Sequence, residues 1–381
     1  MGDLKTAYLS LGSNLGDTLN NLQAAILSIH KLAGEIQRVS PVYQSSSWGF
    51  ESADFMNICL SLKTSLTPLK LLQTLLNIEI DLGRVRHEEK GYHARSIDID
   101  ILYYEKETLV SDALVIPHPE MCNRKFVLKP LADIAPQFYH PILNKDTRNL
   151  IQECRDKGKL EKIPYRLYKS RTAVFAHTNF IAIEGNIGAG KTTLAQKISE
   201  DFNAKLVLER FADNPFLPKF YEDRPRYAFP LEMSFLADRY QQFTDDTSQY
   251  DLFKSFMVSD YDIYKSLIFA RITLQQEEFK LYRKLFNLMY KEVKKPKIYV
   301  YLYQTPERLL ANIKKRGRDF EQNISPEYLT DINRGYLDFI KGYPEQNNLV
   351  IELGDLDFVE RQEDYETIID KILKFAVNLP V

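Results

Sequence analysis

The run Gly185-Asn-Ile-Gly-Ala-Gly-Lys191-Thr192 restricts what this chain can fold into more than any other feature. It fits G-x-x-x-x-G-K-[ST] in full, between an apolar strand-like run at 180–184 and a segment, 192–202, with apolar residues at helical spacing. Strand, glycine loop and helix in that order open a doubly wound α/β unit on a parallel sheet. Glycines let backbone N–H groups curl around a phosphate, and the helix N-terminus adds partial positive charge. Gly185, Asn186, Ile187, Gly188, Ala189, Gly190, Lys191, Thr192 and Thr193 are therefore the candidate phosphate cradle. Lys191 supplies a point charge for the phosphates, and Thr192 supplies a hydroxyl for Mg²⁺.

That loop begins near the middle of a 381-residue chain, longer than one hydrophobic core usually supports. A second domain must precede it. Hydrophobic and charged fractions of 44% and 27% suit a soluble globular protein. A formal charge of −2 points to small phosphorylated ligands and away from nucleic acid. Cys59, Cys122 and Cys154 lack disulfide or zinc spacing, as expected in a reducing cytoplasm, and no apolar stretch is long enough for a membrane span or signal peptide. From 152 to 177 the chain turns basic and loses its periodicity. This predicts a domain over 1–156, a linker over 157–177 and a second domain over 178–381. A terminal helix and an ordered strand packed on the first domain are the alternative for the first half of that basic stretch.

The first half mixes strand patterns at 6–11, 55–62 and 96–104 with helical patterns at 18–32 and 68–82, which predicts an α+β sandwich. Within Ser96-Ile-Asp98-Ile-Asp100-Ile101, strict alternation places the isoleucines on one strand face and both aspartates on the other. Two carboxylates ~7 Å apart on one face suit bound Mg²⁺ or a solvated outer surface. The cations around them, Arg84, Arg86, His87, Lys90, His93, Arg95, His118 and Arg124, form a polyphosphate cradle and favour the metal reading. His118 by itself also reads as a loop hydrogen-bonder.

Leu9-Ser-Leu-Gly-Ser-Asn-Leu-Gly16, Gly83-Arg-Val-Arg86, Arg95-Ser-Ile-Asp-Ile-Asp100, Ile116-Pro-His118, Asn123-Arg124 and Phe126 together resemble the 6-hydroxymethyl-7,8-dihydropterin pyrophosphokinase family over about 5–154. The resemblance implies a ferredoxin-like sandwich with an antiparallel sheet. It also implies that two Mg²⁺ ions sit on Asp98 and Asp100, and that the pterin hydroxymethyl oxygen attacks the β-phosphorus of ATP with release of AMP. Arg84, Arg86, Arg95, His118 and Arg124 match ATP contacts, with Arg84 and Arg95 catalytic alongside the aspartates. Ser45, Trp48, Phe55, Asn57 and Phe126 match the pterin slot, where an aromatic sandwich suits a flat heterocycle. Ser45-Ser-Ser-Trp-Gly49 and Gly91-Tyr-His-Ala94 depart from the proline-containing loops common in that family.

In the second half, Glu209 closes an apolar run, Lys205-Leu-Val-Leu-Glu209, at what would be the carboxyl edge of a parallel strand. It reads as the acceptor of a hydroxyl proton or as an ordinary strand-end carboxylate. The basic stretch 312–322 reads as a lid over transferred phosphate or as a solvated helix face. With the glycine loop, Asn214-Pro-Phe-Leu217, Phe229-Pro-Leu-Glu232 and Lys315-Arg-Gly-Arg318, these segments resemble the deoxynucleoside kinase family over about 179–376. That resemblance makes Glu209 the base for the sugar 5′-hydroxyl and Arg316 and Arg318 lid arginines on the donor phosphates, Arg316 being catalytic. It also implies one Mg²⁺ with ATP and a homodimer through this half. Pro230 stands where a base-binding glutamine is common, and Ser259-Asp260-Tyr261 replaces a Glu/Asp-Arg-Ser motif. Asp260-Tyr-Asp-Ile-Tyr-Lys265 resembles bacterial purine-type kinases. The expectation is a bifunctional enzyme. The alternatives are a catalytic first half joined to a nucleotide-binding or assembly module, or a different P-loop phosphotransferase in the second half.

Overall fold

A computed structural model describes residues 3–46, 53–84, 94–210, 214–248, 253–291, 293–318, 321–322, 324–344 and 346–379. The chain divides between Ala173 and Val174 into two compact units, each with its own sheet.

Apolar residues recurring every second position along Lys5–Ser13 (β1) bury Leu9 and Leu11 on one face of the first sheet. Against that face pack the apolar stripes of Thr18–Leu32 (α1) and, after Glu35–Val39 (β2), Val42–Ser45 (β3) and Phe55–Thr64 (β4), of Pro68–Asp81 (α2). Asp98–Tyr104 (β5) completes the site-bearing strands. A two-stranded ribbon follows, Leu109–Val110 (β6) with Val115–Ile116 (β7), and then Lys125–Ile134 (α3), Thr147–Glu153 (α4) and Leu160–Ile163 (β8). The order is β5-β1-β4-β3-β8 with β2 also on β4, and every pairing is antiparallel. Helix α3 packs on the opposite face, over Cys59, Leu102 and Tyr103. The α+β sandwich on an antiparallel sheet is thus present.

Residues 157–177, expected as a linker, are structured instead. β8 pairs with β3, and Arg171–Thr178 (α5) brings Phe175 to 4.6 Å from Phe202 and 5.4 Å from Phe256. The basic, aperiodic composition that suggested a tether belongs partly to an edge strand, where exposed charge guards against further pairing.

The second unit starts from Phe180–Gly185 (β9), buried along its whole length as a central parallel strand requires. Lys191–Phe202 (α6) and Lys205–Val207 (β10) follow, then Leu217–Glu222 (α7), the long Arg224–Ser248 (α8), Met257–Ser259 (β11), Tyr264–Thr273 (α9) and Gln276–Tyr290 (α10). Ile298–Tyr303 (β12), Pro306–Arg316 (α11), Pro326–Gly342 (α12), Asn348–Glu352 (β13) and Gln362–Val377 (α13) complete it. The strand order is β10-β11-β9-β12-β13, all parallel. The segments after the carboxyl ends of β9, β10 and β11 therefore meet at one sheet edge, where ligands of open α/β sheets bind.

Candidate active sites

In the first unit the register decides what meets. Gly12 lies opposite Asp98 and Asn57, and Ser10 lies opposite Asp100, so these residues share one sheet face while Ile97, Ile99 and Ile101 are buried on the other. Small residues beside the carboxylates leave room above them. The resulting cavity of about 280 Å³ is lined by Ser45, Phe55, Asn57, Arg84, Arg95, Asp98, Asp100, His118, Arg124 and Phe126, together with Ser10, Gly12, Ser46 and Val127. Arg86 and Trp48, singled out from sequence, lie outside the described residues, as do His87, Lys90 and His93.

Arg84 contacts Asp98 at 2.6 Å and also pairs with Glu79, while Arg95 pairs with the other oxygen of Asp98. The backbone of Arg95 is fixed by Asn14, whose Oδ1 accepts its N–H at 2.7 Å. Asp100, 4.0 Å from His118 Nε2, is pushed up to about 7, first by burial and then by the charge of Asp98. Burial and the nearby Arg124 both lower His118, and its Nδ1 accepts the Glu120 N–H at 3.2 Å. The neutral ring therefore keeps its proton on Nε2, facing Asp100. Glu79 is the residue that the sequence reading passed over. It is buried on α2, accepts the Ile99 N–H at 2.7 Å and anchors Arg84, and its carboxyl is raised by burial against the lowering effect of that arginine. A lone charge inside an otherwise apolar helical stripe was its sequence signal.

In the second unit the glycine loop sits between β9 and α6 as expected. Gly190 has φ +85°, and a Cβ there would meet Phe358 Cζ at 2.6 Å, so only glycine fits. Gly188, Ala189, Gly190, Lys191, Thr192 and Thr193 line a cavity of about 570 Å³ with Gln304, Arg308, Asn312, Arg316, Arg318 and Phe358. Gly185 and Asn186 do not line it. Asn186 is buried and donates to Leu329 O and Asn333 Oδ1, each at 2.8 Å, while its own carbonyl accepts from Lys191 Nζ at 2.9 Å. Ile187 faces a second, smaller cavity, which it shares with Lys191, Thr192, Arg316 and Arg318.

Glu209 also lines this second cavity, two residues past β10. One carboxylate oxygen accepts from Arg239 at 2.8 and 2.7 Å and the other from Lys265 at 2.6 Å. Burial acts to raise its carboxyl, but Lys265 and Arg239 outweigh that and hold it at about 2. Lys191 is pushed down to about 8 by burial first and by Lys265 second. Asp260, just past β11, accepts the Thr192 hydroxyl at 2.5 Å and the Glu209 N–H at 2.7 Å. It stands within the Ser259-Asp260-Tyr261 departure and supplies a carboxylate beside the loop threonine, a role the sequence reading did not assign. The cations on Glu209 come from Arg239 and Lys265. Arg316 and Arg318 both pair with buried Glu321, the latter at 3.3 Å. Glu232, two residues beyond Pro230, lines the cavity; burial pushes it up to about 7, with Arg239 opposing.

Residues 8–136 match the 7,8-dihydro-6-hydroxymethylpterin-pyrophosphokinase (HPPK) family, and residues 181–377 match the deoxynucleoside kinase family. Over 148 residues the chain is 43% identical to a 2-amino-4-hydroxy-6-hydroxymethyldihydropteridine pyrophosphokinase of Synechocystis, covering 39% of this chain and 75% of that protein. Over 203 residues it is 39% identical to a deoxyguanosine kinase of Bacillus subtilis, covering 52% of this chain and 98% of that protein. The chain belongs to both families. A solved structure of a deoxyadenosine kinase from M. mycoides is similar at 25% identity and a TM-score of 0.45, covering 51% of this chain and 99% of that chain.

The two families account for the two separate sheets and cavities: one half is an ATP-dependent pterin pyrophosphokinase, and the other an ATP-dependent deoxynucleoside kinase. The smaller cavity brings Arg239 together with Glu232, Asp260 and Lys265, which stood in the quoted sequence segments without an assigned role.

Proposed function

We propose that the first cavity holds pterin between Phe55 and Phe126 beside Asn57 and Ser45, with the ATP polyphosphate against Arg84, Arg95, His118 and Arg124. Asn57, whose amide donates to Ser45 Oγ at 3.0 Å, is oriented for hydrogen bonding to a heterocycle edge. Asp98 and Asp100 would hold two Mg²⁺ ions: a pair of carboxylate oxygens and few other protein donors is the set Mg²⁺ takes when substrate phosphates complete its shell. Bound there, Mg²⁺ would neutralise charge gathering on the phosphates. Arg84 and Arg95, now on Asp98, would turn to the polyphosphate and stabilise that charge as the pterin oxygen attacks the β-phosphorus. AMP is the product. Arg86 and Trp48 retain their proposed contacts from resemblance alone.

In the second unit the larger cavity takes ATP and the smaller one a deoxynucleoside, purine preferred, in keeping with the similarity to a deoxyguanosine kinase. Thr192, with Asp260, would hold one Mg²⁺. Glu209, ionised throughout the physiological range, orients the 5′-hydroxyl and takes its proton as the O–P bond forms, and Arg316 and Arg318 leave Glu321 for the transferring phosphoryl group. The carrying observation is that Lys191, Thr192, Arg316 and Arg318 line both cavities, so donor and acceptor meet where the loop charges lie. A monophosphate acceptor would need further arginines in the smaller cavity. Arg224 instead lies over the Tyr328 ring at 4.2 Å and Arg226 over Tyr227 at 5.4 Å, which favours an uncharged nucleoside.

A homodimer through the second unit follows from family likeness, and a cytoplasmic setting suits three free cysteines. Among the described residues no helix is long and apolar enough to cross a membrane. The test is product identification with ATP and Mg²⁺. Hydroxymethyldihydropterin should yield AMP, and deoxynucleosides should yield ADP and a 5′-monophosphate. Preferential use of monophosphates as acceptors would contradict the kinase assignment.

A further inference from the structure

A glycine-rich phosphate loop has few side chains of its own to fix it, so the groups packed behind it decide its shape. Asn186, fully buried, commits both amide hydrogens, donating to Leu329 O and to Asn333 Oδ1 at 2.8 Å each. Its Oδ1 accepts the Ile187 N–H at 2.7 Å. Asn333, buried on α12, accepts a second bond from the Tyr301 hydroxyl at 2.9 Å, and its Nδ2 donates to Gln304 O at 3.0 Å. Turning the Asn333 amide over would set donor against donor at Asn186 and acceptor against acceptor at Gln304, so one orientation alone satisfies the network.

Asn333 lines neither cavity of the second unit, yet it ties the loop to the two elements behind it. Toward the loop it holds Asn186, whose carbonyl accepts Lys191 Nζ at 2.9 Å. Toward β12 it holds Tyr301 and Gln304; the latter lines the larger cavity and donates from Nε2 to Gly354 O at 2.9 Å. One turn further along α12, Tyr336 donates to Glu184 at 2.8 Å, so the helix grips the chain on both sides of Gly185. We propose that Asn333 is a positioning residue for the ATP site, holding Asn186, and through it Ile187 and Lys191, in the shape that receives the donor phosphates. This rests on the reading of the larger cavity as the ATP site of a deoxynucleoside kinase. Glu209 on the acceptor side is held by Arg239 and Lys265 instead, so loss of Asn333 acts on ATP and spares the deoxynucleoside.

The experiment measures kcat and KM for ATP and for deoxyguanosine in the full chain and in Asn333→Leu, Asn333→Asp and Tyr301→Phe. Asn333→Leu should raise KM for ATP by about 10-fold or more, change KM for deoxyguanosine by less than about 2-fold, and leave pyrophosphoryl transfer by the first unit unaltered. Asn333→Asp offers a donor to Gln304 O only while its carboxyl is protonated. Its KM for ATP, divided by the wild-type value at the same pH, should therefore fall as pH is lowered from about 8.5 to about 6. Tyr301→Phe removes one donor to Asn333 and keeps the ring, so KM for ATP should rise by about 2- to 5-fold; this variant decides the matter if Asn333→Leu does not fold. An unchanged KM for ATP in the folded variants overturns the inference. So does a rise shared equally by ATP and deoxyguanosine, or an Asn333→Asp ratio that is flat with pH. A wild type that phosphorylates no deoxynucleoside overturns the kinase reading itself, and the inference falls with it.

Discussion

Glu209 shows how one residue is prepared for its task. Arg239 and Lys265 keep it ionised at every pH the enzyme meets, and its backbone N–H ties it to Asp260 and so to the loop threonine. Glu209→Gln keeps the shape and loses the proton acceptor, so kcat for deoxynucleoside phosphorylation should fall by about 10² to 10⁴-fold with KM for ATP little changed; steady-state kinetics would reveal it. Gly190→Ala sets a methyl group against Phe358 in a left-handed conformation. It should destabilise the second unit by about 2 kcal/mol or more and weaken ATP binding, as calorimetry would show. Asp98, Asp100 and Lys191 were legible in sequence because period-two alternation and a glycine loop announce their geometry locally. Glu79 was not, and Ser10 and Glu232 stood in the quoted segments without a role, since what these residues do arises from strand register and from the packing of distant helices.

At the scale of elements, β5 and the β9–α6 turn carry their chemistry in their own periodicity, whereas β8 was obscured by its charge. A second consequence concerns α8 and the segment before α9. Burial pushes Glu232 and Asp262 up to about 7 each, against ordinary values of 4.5 and 3.8. Between those limits the folded unit binds more protons than the unfolded chain. The stabilisation is fully present below the ordinary values and is lost as pH rises through about 7. The melting temperature of the unliganded second unit should therefore fall between pH 5.5 and 7.5, and Glu232→Gln should flatten that slope. A melting temperature that climbs steadily over this range would contradict the burial of these carboxyls.

For the whole molecule, the two sets of site residues share no side chain, and each set sits on its own sheet within its own compact unit. The sequence divided the chain correctly into two catalytic types, because the motifs of each family fall wholly within one half. The central claim is that two phosphate-transfer reactions run on one chain from independent sites, and the most direct measurement is a crossed assay of Asp98→Asn and Lys191→Ala. Asp98→Asn should lose pyrophosphoryl transfer by about 10² to 10³-fold or more and keep deoxynucleoside phosphorylation at the wild-type rate, while Lys191→Ala should do the reverse. Loss of both activities in either variant, with both proteins folded, would contradict the account.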